Sequence, residues 1–230
     1  FEYVGQSRHL QLYEAQLVPW IWRLQYRHDC RIFQDKSTPD ILREVLLGAG
    51  LASDGFCFDL LGAYAPRNYC VQYRESDLSF ISRLMEDSGI YYYFEHSEDK
   101  HVLVMADHPG AHRSIPGTPA LWFSPPGGMV AEREHVQQFR FGERVRPGKV
   151  SMRDFNMHQP GAKMEVADVA KVRAELEVYS YPGRYQDPGQ GAPHHGQSLA
   201  KLRLEGLQSH RRTGSGSSDC PRLTAGHTMS

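Results

Sequence analysis

The period of the apolar positions changes several times along the chain, and each change marks an element. Leu10 and Leu12, then Ala15, Leu17 and Val18, lead into Pro19-Trp20-Ile21-Trp22-Arg23-Leu24-Gln25-Tyr26. There Trp20, Trp22, Leu24 and Tyr26 alternate with Ile21, Arg23 and Gln25. A period of two with aromatics on one face predicts a half-buried strand, packed in a barrel or sandwich core. Arg31-Ile32-Phe33 predicts a further short strand. The period then turns helical, with Ile41, Leu42, Val45 and Leu46 on one face. Thr38 as N-cap, Pro39 at the first helical position and Asp40 behind it supply the start, and Gly48 and Gly50 the stop. Phe56 to Leu61 reads as a strand, and Ala65-Pro66-Arg67-Asn68 as a turn.

The most informative stretch runs from Tyr69 to His96. Tyr69 to Tyr73 alternates as a strand does. Ser76 is placed to cap a helix, and Asp77 sits in its first turn, where the helix dipole favours an anion. Leu78, Ile81, Leu84 and Met85 make one apolar face, and Gly89 can take the left-handed conformation after the last turn. Ile90–Glu95 and His101–Ala106 predict a hairpin around the polar turn Ser97-Glu98-Asp99-Lys100. Tyr91-Tyr92-Tyr93 is expected as sheet and interface surface. The unit from 31 to 106 reads as α+β.

From 107 to 130 closely spaced Pro and Gly residues punctuate the chain, with Leu121-Trp122-Phe123 as an apolar anchor. A domain boundary is expected there. Strands return at Val136–Phe141, Val150–Phe155 and Ala174–Tyr181. Gln186 to Gly196 reads as a Gly/Pro-rich loop containing His194-His195. Ser198 to Arg212 reads as a helix with Leu199, Leu202 and Leu207 on one face and Gly214 as its stop. Leu223 to Ser230 reads as an unfinished strand. Several strands and a late helix suit a second β barrel or sandwich.

Composition narrows the function classes. With 230 residues, 40% apolar and 23% charged, the chain has the make-up of one large or two small globular domains. Its formal net charge of -1 provides no global basic field for nucleic acid or anionic membrane. No apolar run approaches the ~20 residues of a membrane span. Phe1-Glu2-Tyr3-Val4-Gly5 has the features of neither a signal peptide nor a natural start, so a fragment without a signal peptide is expected. Cys30, Cys57, Cys70 and Cys220 are scattered and are expected as buried thiols rather than a zinc or redox motif.

No residue set stands out as an active centre. G-x-S-x-G, H-E-x-x-H and phosphate-binding Gly loops are absent. Glu75-Ser76-Asp77 places carboxylates around a hydroxyl, but helix capping accounts for Ser76 and Asp77. His194-His195 are sequence neighbours without a third ligand, and His108 and His112 share no predicted helix face, so no metal site is expected at either. Lys201, Arg203, Arg211 and Arg212 form a local basic face that reads as a solvated helix end. Catalytic, cofactor and metal residues are all expected to be absent.

One resemblance goes further. Tyr-Cys-Val-Gln-Tyr-Arg-Glu-Ser-Asp-Leu-Ser-Phe-Ile-Ser-Arg-Leu-Met-Glu-Asp-Ser-Gly-Ile-Tyr-Tyr-Tyr-Phe-Glu-His (69–96) resembles the signature of the VgrG family, the spike proteins of type VI secretion. Pro19–Trp22, Asp29–Gln34, Ser37–Leu42, Tyr179–Tyr185 and Gly214–Cys220 look like family segments in the family's order. The resemblance implies the N-terminal, phage-tail-hub-like part: an α+β fold of two β-barrel domains with an α/β insertion. The implied domains are 1–26, remainder of the first barrel domain; 27–106, insertion; 107–132, connector; and 133–230, second barrel domain with a late helix. It further implies a homotrimer that docks on a hexameric tube of Hcp. Effector or tip proteins would attach through a C-terminal region, and a needle would reach the target membrane, both outside this chain. The resemblance implies assembly in the bacterial cytoplasm followed by secretion without a signal peptide. The alternatives are a baseplate hub of a contractile phage tail or phage-like particle and, from another class, an effector enzyme.

Overall fold

The computed structural model describes residues 2–7, 10–125, 133–157, 159–185 and 193–230. The chain divides into two units, one of Phe1–Glu86 with Ile90–Ala111 and one of His112–Ser230 with Asp87–Gly89. The sheets are two- and three-stranded. Among the described residues they do not close into the expected barrels, because closure requires every strand to have a neighbour on both edges and each sheet here keeps two open edges.

The first unit begins with an antiparallel pair, β1 (Glu2–Ser7) and β2 (Leu10–Glu14). Tyr3 meets Tyr13 edge-on across it, with ring centroids 5.5 Å apart. The next run departs from expectation. Trp20–Tyr26 is a 3-10 helix, not a strand. Pro19 is extended before it, and the Trp22 amide donates to the Pro19 carbonyl at 3.0 Å. Only Ile21 and Leu24 are buried, three positions apart, which is the 3-10 repeat. Burial thus selects a period of three that the alternating aromatics mask. Trp22 and Tyr26 point outward and pack on each other at 5.2 Å.

β3 (His28–Phe33) leads to α1 (Thr38–Gly48). The cap lies one residue earlier than expected. Ser37 accepts from the Asp40 amide, and the Asp40 carboxylate accepts from the Ser37 amide, a reciprocal capping box. Thr38 is instead buried and accepts from Arg67. Ile41, Leu42, Val45 and Leu46 are fully buried, as their spacing predicts. There follow β4 (Phe56–Asp59), β5 (Cys70–Ser76), α2 (Asp77–Ser88), β6 (Tyr91–His96) and β7 (His101–Ala106).

β6 and β7 form the expected antiparallel hairpin, and β4 joins the outer side of β7 in parallel. β3 pairs antiparallel with β5. The outward faces of the two helices carry charge; their inward faces meet in one core. Phe80 of α2, outside the predicted face, is fully buried and stacks on Phe33 at 5.6 Å. Gly89 closes α2 with φ +69°, the left-handed value that favours glycine.

The second unit contains β8 (Arg113–Ser114), β9 (Trp122–Phe123), β10 (His135–Glu143), β11 (Lys149–Arg153), β12 (Glu165–Val169), β13 (Glu177–Ser180), α3 (Pro193–Ser209), β14 (Arg212–Ser218) and β15 (His227–Thr228). β11 is central, antiparallel to β12 and parallel to β13. α3 packs on this sheet through Ala200 and Leu204, flanked by Leu199 and Leu207. Tyr185 is buried between them and donates its hydroxyl to the Met164 carbonyl at 2.7 Å.

A second sheet orders β14, β10 and β9. β14 corrects the reading of Gly214 as a helix stop. The helix ends at Ser209, and residues from Arg212 onward pair with β10. Of the expected loop Gln186–Gly196, residues 186–192 lie outside the described residues, and Pro193 to Gly196 belong to α3 instead. The short β15 pairs with β8.

Two substitutions, one on α2 and one at its cap, test this packing. Leu84→Ala is expected to cost about 2–5 kcal/mol, the range for emptying a fully buried leucine site. Ser76→Ala is expected to cost about 0.5–2 kcal/mol through loss of the cap. Urea unfolding of each variant reads both, and an unchanged midpoint for Leu84→Ala would contradict the assigned face.

Candidate functional site

The trio Glu75-Ser76-Asp77 sits where β5 becomes α2, and each member has a structural partner. Ser76 Oγ accepts from the Ser79 amide at 3.1 Å, as an N-cap does. Glu75 takes both arms of the Arg83 guanidinium, at 2.5 and 3.4 Å. Asp77 is 1% exposed and is held by Arg31, by Arg27 at 3.2 Å and by Gln72 Nε2 at 2.9 Å. This cluster has the contents of an ion-paired joint, with every carboxylate spoken for by a cation.

A second polar cluster follows β7. Asp107 accepts from the Leu61 amide at 2.9 Å, the Gly62 amide at 2.7 Å and the Tyr64 hydroxyl at 2.9 Å. Burial pushes the Asp107 carboxyl up, but the two amides, the Tyr64 hydroxyl and nearby His108 outweigh it, and the group titrates below the usual carboxylate range. Burial, and then the hydrogen bond to Asp107, push the Tyr64 phenol up. Asp107 therefore pins the segment after β4 to the end of β7.

The remaining candidates divide among separate partners. His108 Nε2 lies 3.3 Å from Asp59, and His112 Nδ1 lies 2.9 Å from the Gly226 carbonyl. The side chains of His194 and His195 lie outside the described residues. Among the described residues no group of three or more His, Cys, Asp or Glu is arranged to hold a metal ion. Arg211 and Arg212 both reach Glu143, Lys201 faces Glu205, and Arg203 donates to the Gly183 carbonyl, so each member of the basic face has a partner within the second unit. Cys70 and Cys220 are buried, whereas Cys30 and Cys57 are exposed, contrary to the expectation of four buried thiols. Both exposed cysteines occupy outward positions of their strands, β3 and the short β4. Of the tyrosine run, Tyr93 is buried and donates to the Ala111 carbonyl, and Tyr91 donates to the His108 carbonyl. Only Tyr92 is left as exposed surface.

The conspicuous surface is the sheet β14–β10–β9. Phe139 stands opposite Gly216 and Phe141 opposite Gly214. Directly opposed residues share a face. A register shift between Val136 and Gln138 sets Val136 opposite Ser218, and Val136 also stands opposite Phe123. The shift brings Phe123, Val136, Phe139 and Phe141 into one apolar row. Phe123, Phe139 and Phe141 are 62%, 54% and 65% exposed. Gly214 has no space for a side chain there, since a Cβ would lie 2.9 Å from the Phe139 ring. Trp122 is also exposed, so Leu121-Trp122-Phe123 does not anchor a core as expected. The row escapes a periodicity reading because β14 is made of Gly and Ser; the cue was the two phenylalanines two apart on β10.

Comparison with known proteins then bears on this surface. A family model described as phage tail baseplate hub (GPD) matches residues 1–230. The chain belongs to that family. Among its relatives, the type VI secretion system spike protein VgrG1a of Pseudomonas aeruginosa is 39% identical over 204 residues, 87% of this chain and 31% of that protein. The spike protein VgrG1b of the same organism is 38% identical over 200 residues, 86% of this chain and 26% of that protein. The hub chain thus spans about a third or less of the length of these relatives. Its fold is similar to that of the E. coli c3393 protein, described as a type VI secretion component structurally similar to the T4 bacteriophage tail proteins gp27 and gp5. The TM-score is 0.59 at 17% identity, over 90% of this chain and 42% of that one.

The Asp107 cluster makes a pH-resolved prediction for the hub chain. A carboxyl with a lowered folded pKa stabilises above its unfolded value and loses that contribution as the pH falls through the folded one. Asp107→Asn is expected to cost about 1.5–3 kcal/mol at pH 7, the range for hydrogen bonds to a charged group. It should also flatten the acid limb of stability below about pH 4. Chemical denaturation from pH 7 to 3 checks both.

Proposed function

We propose that the chain is the barrel-bearing part of a type VI secretion spike hub, a structural and non-enzymatic component. In this reading residues 1–26 and 133–230 contribute to two β-barrel domains, 27–106 form the insertion and 107–132 the connector. Three copies assemble, and the resulting ring of similar domains caps a hexameric Hcp tube. The needle, tip proteins and effectors follow through a C-terminal region, and the needle reaches the target membrane. Assembly takes place in the bacterial cytoplasm, and the protein is then secreted.

The observation that carries this reading is the open sheet β14–β10–β9. A solvated sheet ordinarily buries one face on a core. Here β10 has no buried residue and its phenylalanines face outward. Exposed apolar rows of this kind mark association surfaces. The Asp77 and Asp107 clusters, by contrast, are held by partners within the first unit, which suits structure better than turnover. The family description favours a second reading, a baseplate hub of a contractile phage tail. Binding to purified Hcp tubes separates the two.

The experiment is sedimentation of the parent protein, alone and with Hcp tubes. A trimer that co-sediments with tubes is expected, and Phe139→Glu combined with Phe141→Glu should weaken assembly or tube binding at least about tenfold with unfolding unchanged, since a tenfold loss needs only about 1.4 kcal/mol. A monomeric parent that ignores the tubes would overturn the reading, as would turnover of peptidoglycan or nucleic acid abolished by one point substitution.

A further inference from the structure

We propose that His101, with His96 opposite it, is an acid-sensitive latch that fastens the 3-10 helix Trp20–Tyr26 to the β6–β7 hairpin. The Trp20 backbone amide donates to His101 Nε2 at 3.0 Å. An amide can only donate, so Nε2 carries a lone pair and the proton of the neutral ring resides on Nδ1. Protonation at Nε2 sets one N–H against another and deletes the bond.

The surroundings oppose a second positive charge. His96 is the cross-strand partner of His101, with ring centroids 6.1 Å apart. Phe94 covers the His101 ring edge at 5.8 Å. On the 3-10 helix the Arg23 guanidinium lies 5.7 Å from the Trp20 ring centroid. In the turn, Lys100 is paired with Asp54 at 2.9 Å, and Glu98 and Asp99 are exposed. Glu95 precedes His96 and alternates to the other face of β6. Among the described residues no carboxylate forms an ion pair with either imidazole.

The neutral ring accepts the Trp20 amide and the protonated ring cannot, so the latch is closed at higher pH and opens as the pH falls. What opens is the start of the segment that joins the β1–β2 ribbon to the core. Its far end, Arg27, remains tied to Asp77. The latch therefore frees one end of the 3-10 helix while the unit stays folded.

The test is amide hydrogen exchange of the 230-residue chain at Trp20–Leu24 between pH 8 and pH 5, corrected for intrinsic exchange. Loss of one hydrogen bond should raise opening about 5- to 10-fold on acidification. His101→Gln retains an acceptor that does not titrate and should abolish the transition. His96→Gln removes the repelling neighbour and should move the midpoint to lower acidity, and it keeps the test decisive if His101→Gln misfolds. No acid transition in the wild type, or the same transition in His101→Gln, would overturn the proposal, as would an unmoved midpoint in His96→Gln.

Discussion

The first unit depends on one buried carboxylate. Asp77 opens α2, where the helix dipole is positive, and its own amide donates to the Arg27 carbonyl at 2.7 Å. Its side chain gathers Arg31 from β3, Gln72 from β5 and Arg27 from the end of the 3-10 helix. Four elements, drawn from two distant stretches of the sequence, thus meet at one group. A buried charge is tolerated only with such a set of partners, and removing one partner typically costs about 3–5 kcal/mol. The joint also fixes where β5 must stop, because Ser76 next to it caps the helix. The apolar face of α2 then joins α1 and the strands in one core.

This logic divides what the sequence reveals from what it hides. Both helices of the first unit were legible because Ile41, Leu42, Val45 and Leu46, and Ile81, Leu84 and Met85, repeat at helical spacing between recognisable caps. The β6–β7 hairpin was legible for the equivalent reason in strands. Trp20–Tyr26 misled because exposed aromatics imitated a strand, while the deciding residues, Ile21 and Leu24, are buried by contacts made elsewhere. The parallel pairing of β4 with β7 crosses much of the unit and leaves no local trace. The place of Asp77 in the first turn of α2 was readable, but its burial was not, since Arg27 and Arg31 are supplied by distant segments. β14 was hidden by its own composition, since Gly and Ser usually punctuate rather than form strands.

The two units differ in where their apolar groups point. In the first, two helices and two small sheets enclose a common core, and the polar clusters of Asp77 and Asp107 bind it at the joints. In the second, α3 covers β11 and β12, but the neighbouring sheet turns a phenylalanine row outward. The Asp77 and Asp107 clusters are held by partners inside the first unit, while the phenylalanine row of the second is exposed. Membership in the baseplate hub family, and relatives that serve as type VI secretion spikes, accord with that division.

The central claim, that the 75–77 trio is architecture and Asp77 its keystone, is tested most directly by a double-mutant cycle. Asp77→Asn, Arg31→Met and the pair are compared with the wild type by urea unfolding. The account predicts a coupling energy of at least about 2 kcal/mol, within the range for residues sharing a buried ion-pair network. Single substitutions whose effects simply add, within about 0.5 kcal/mol, would contradict it.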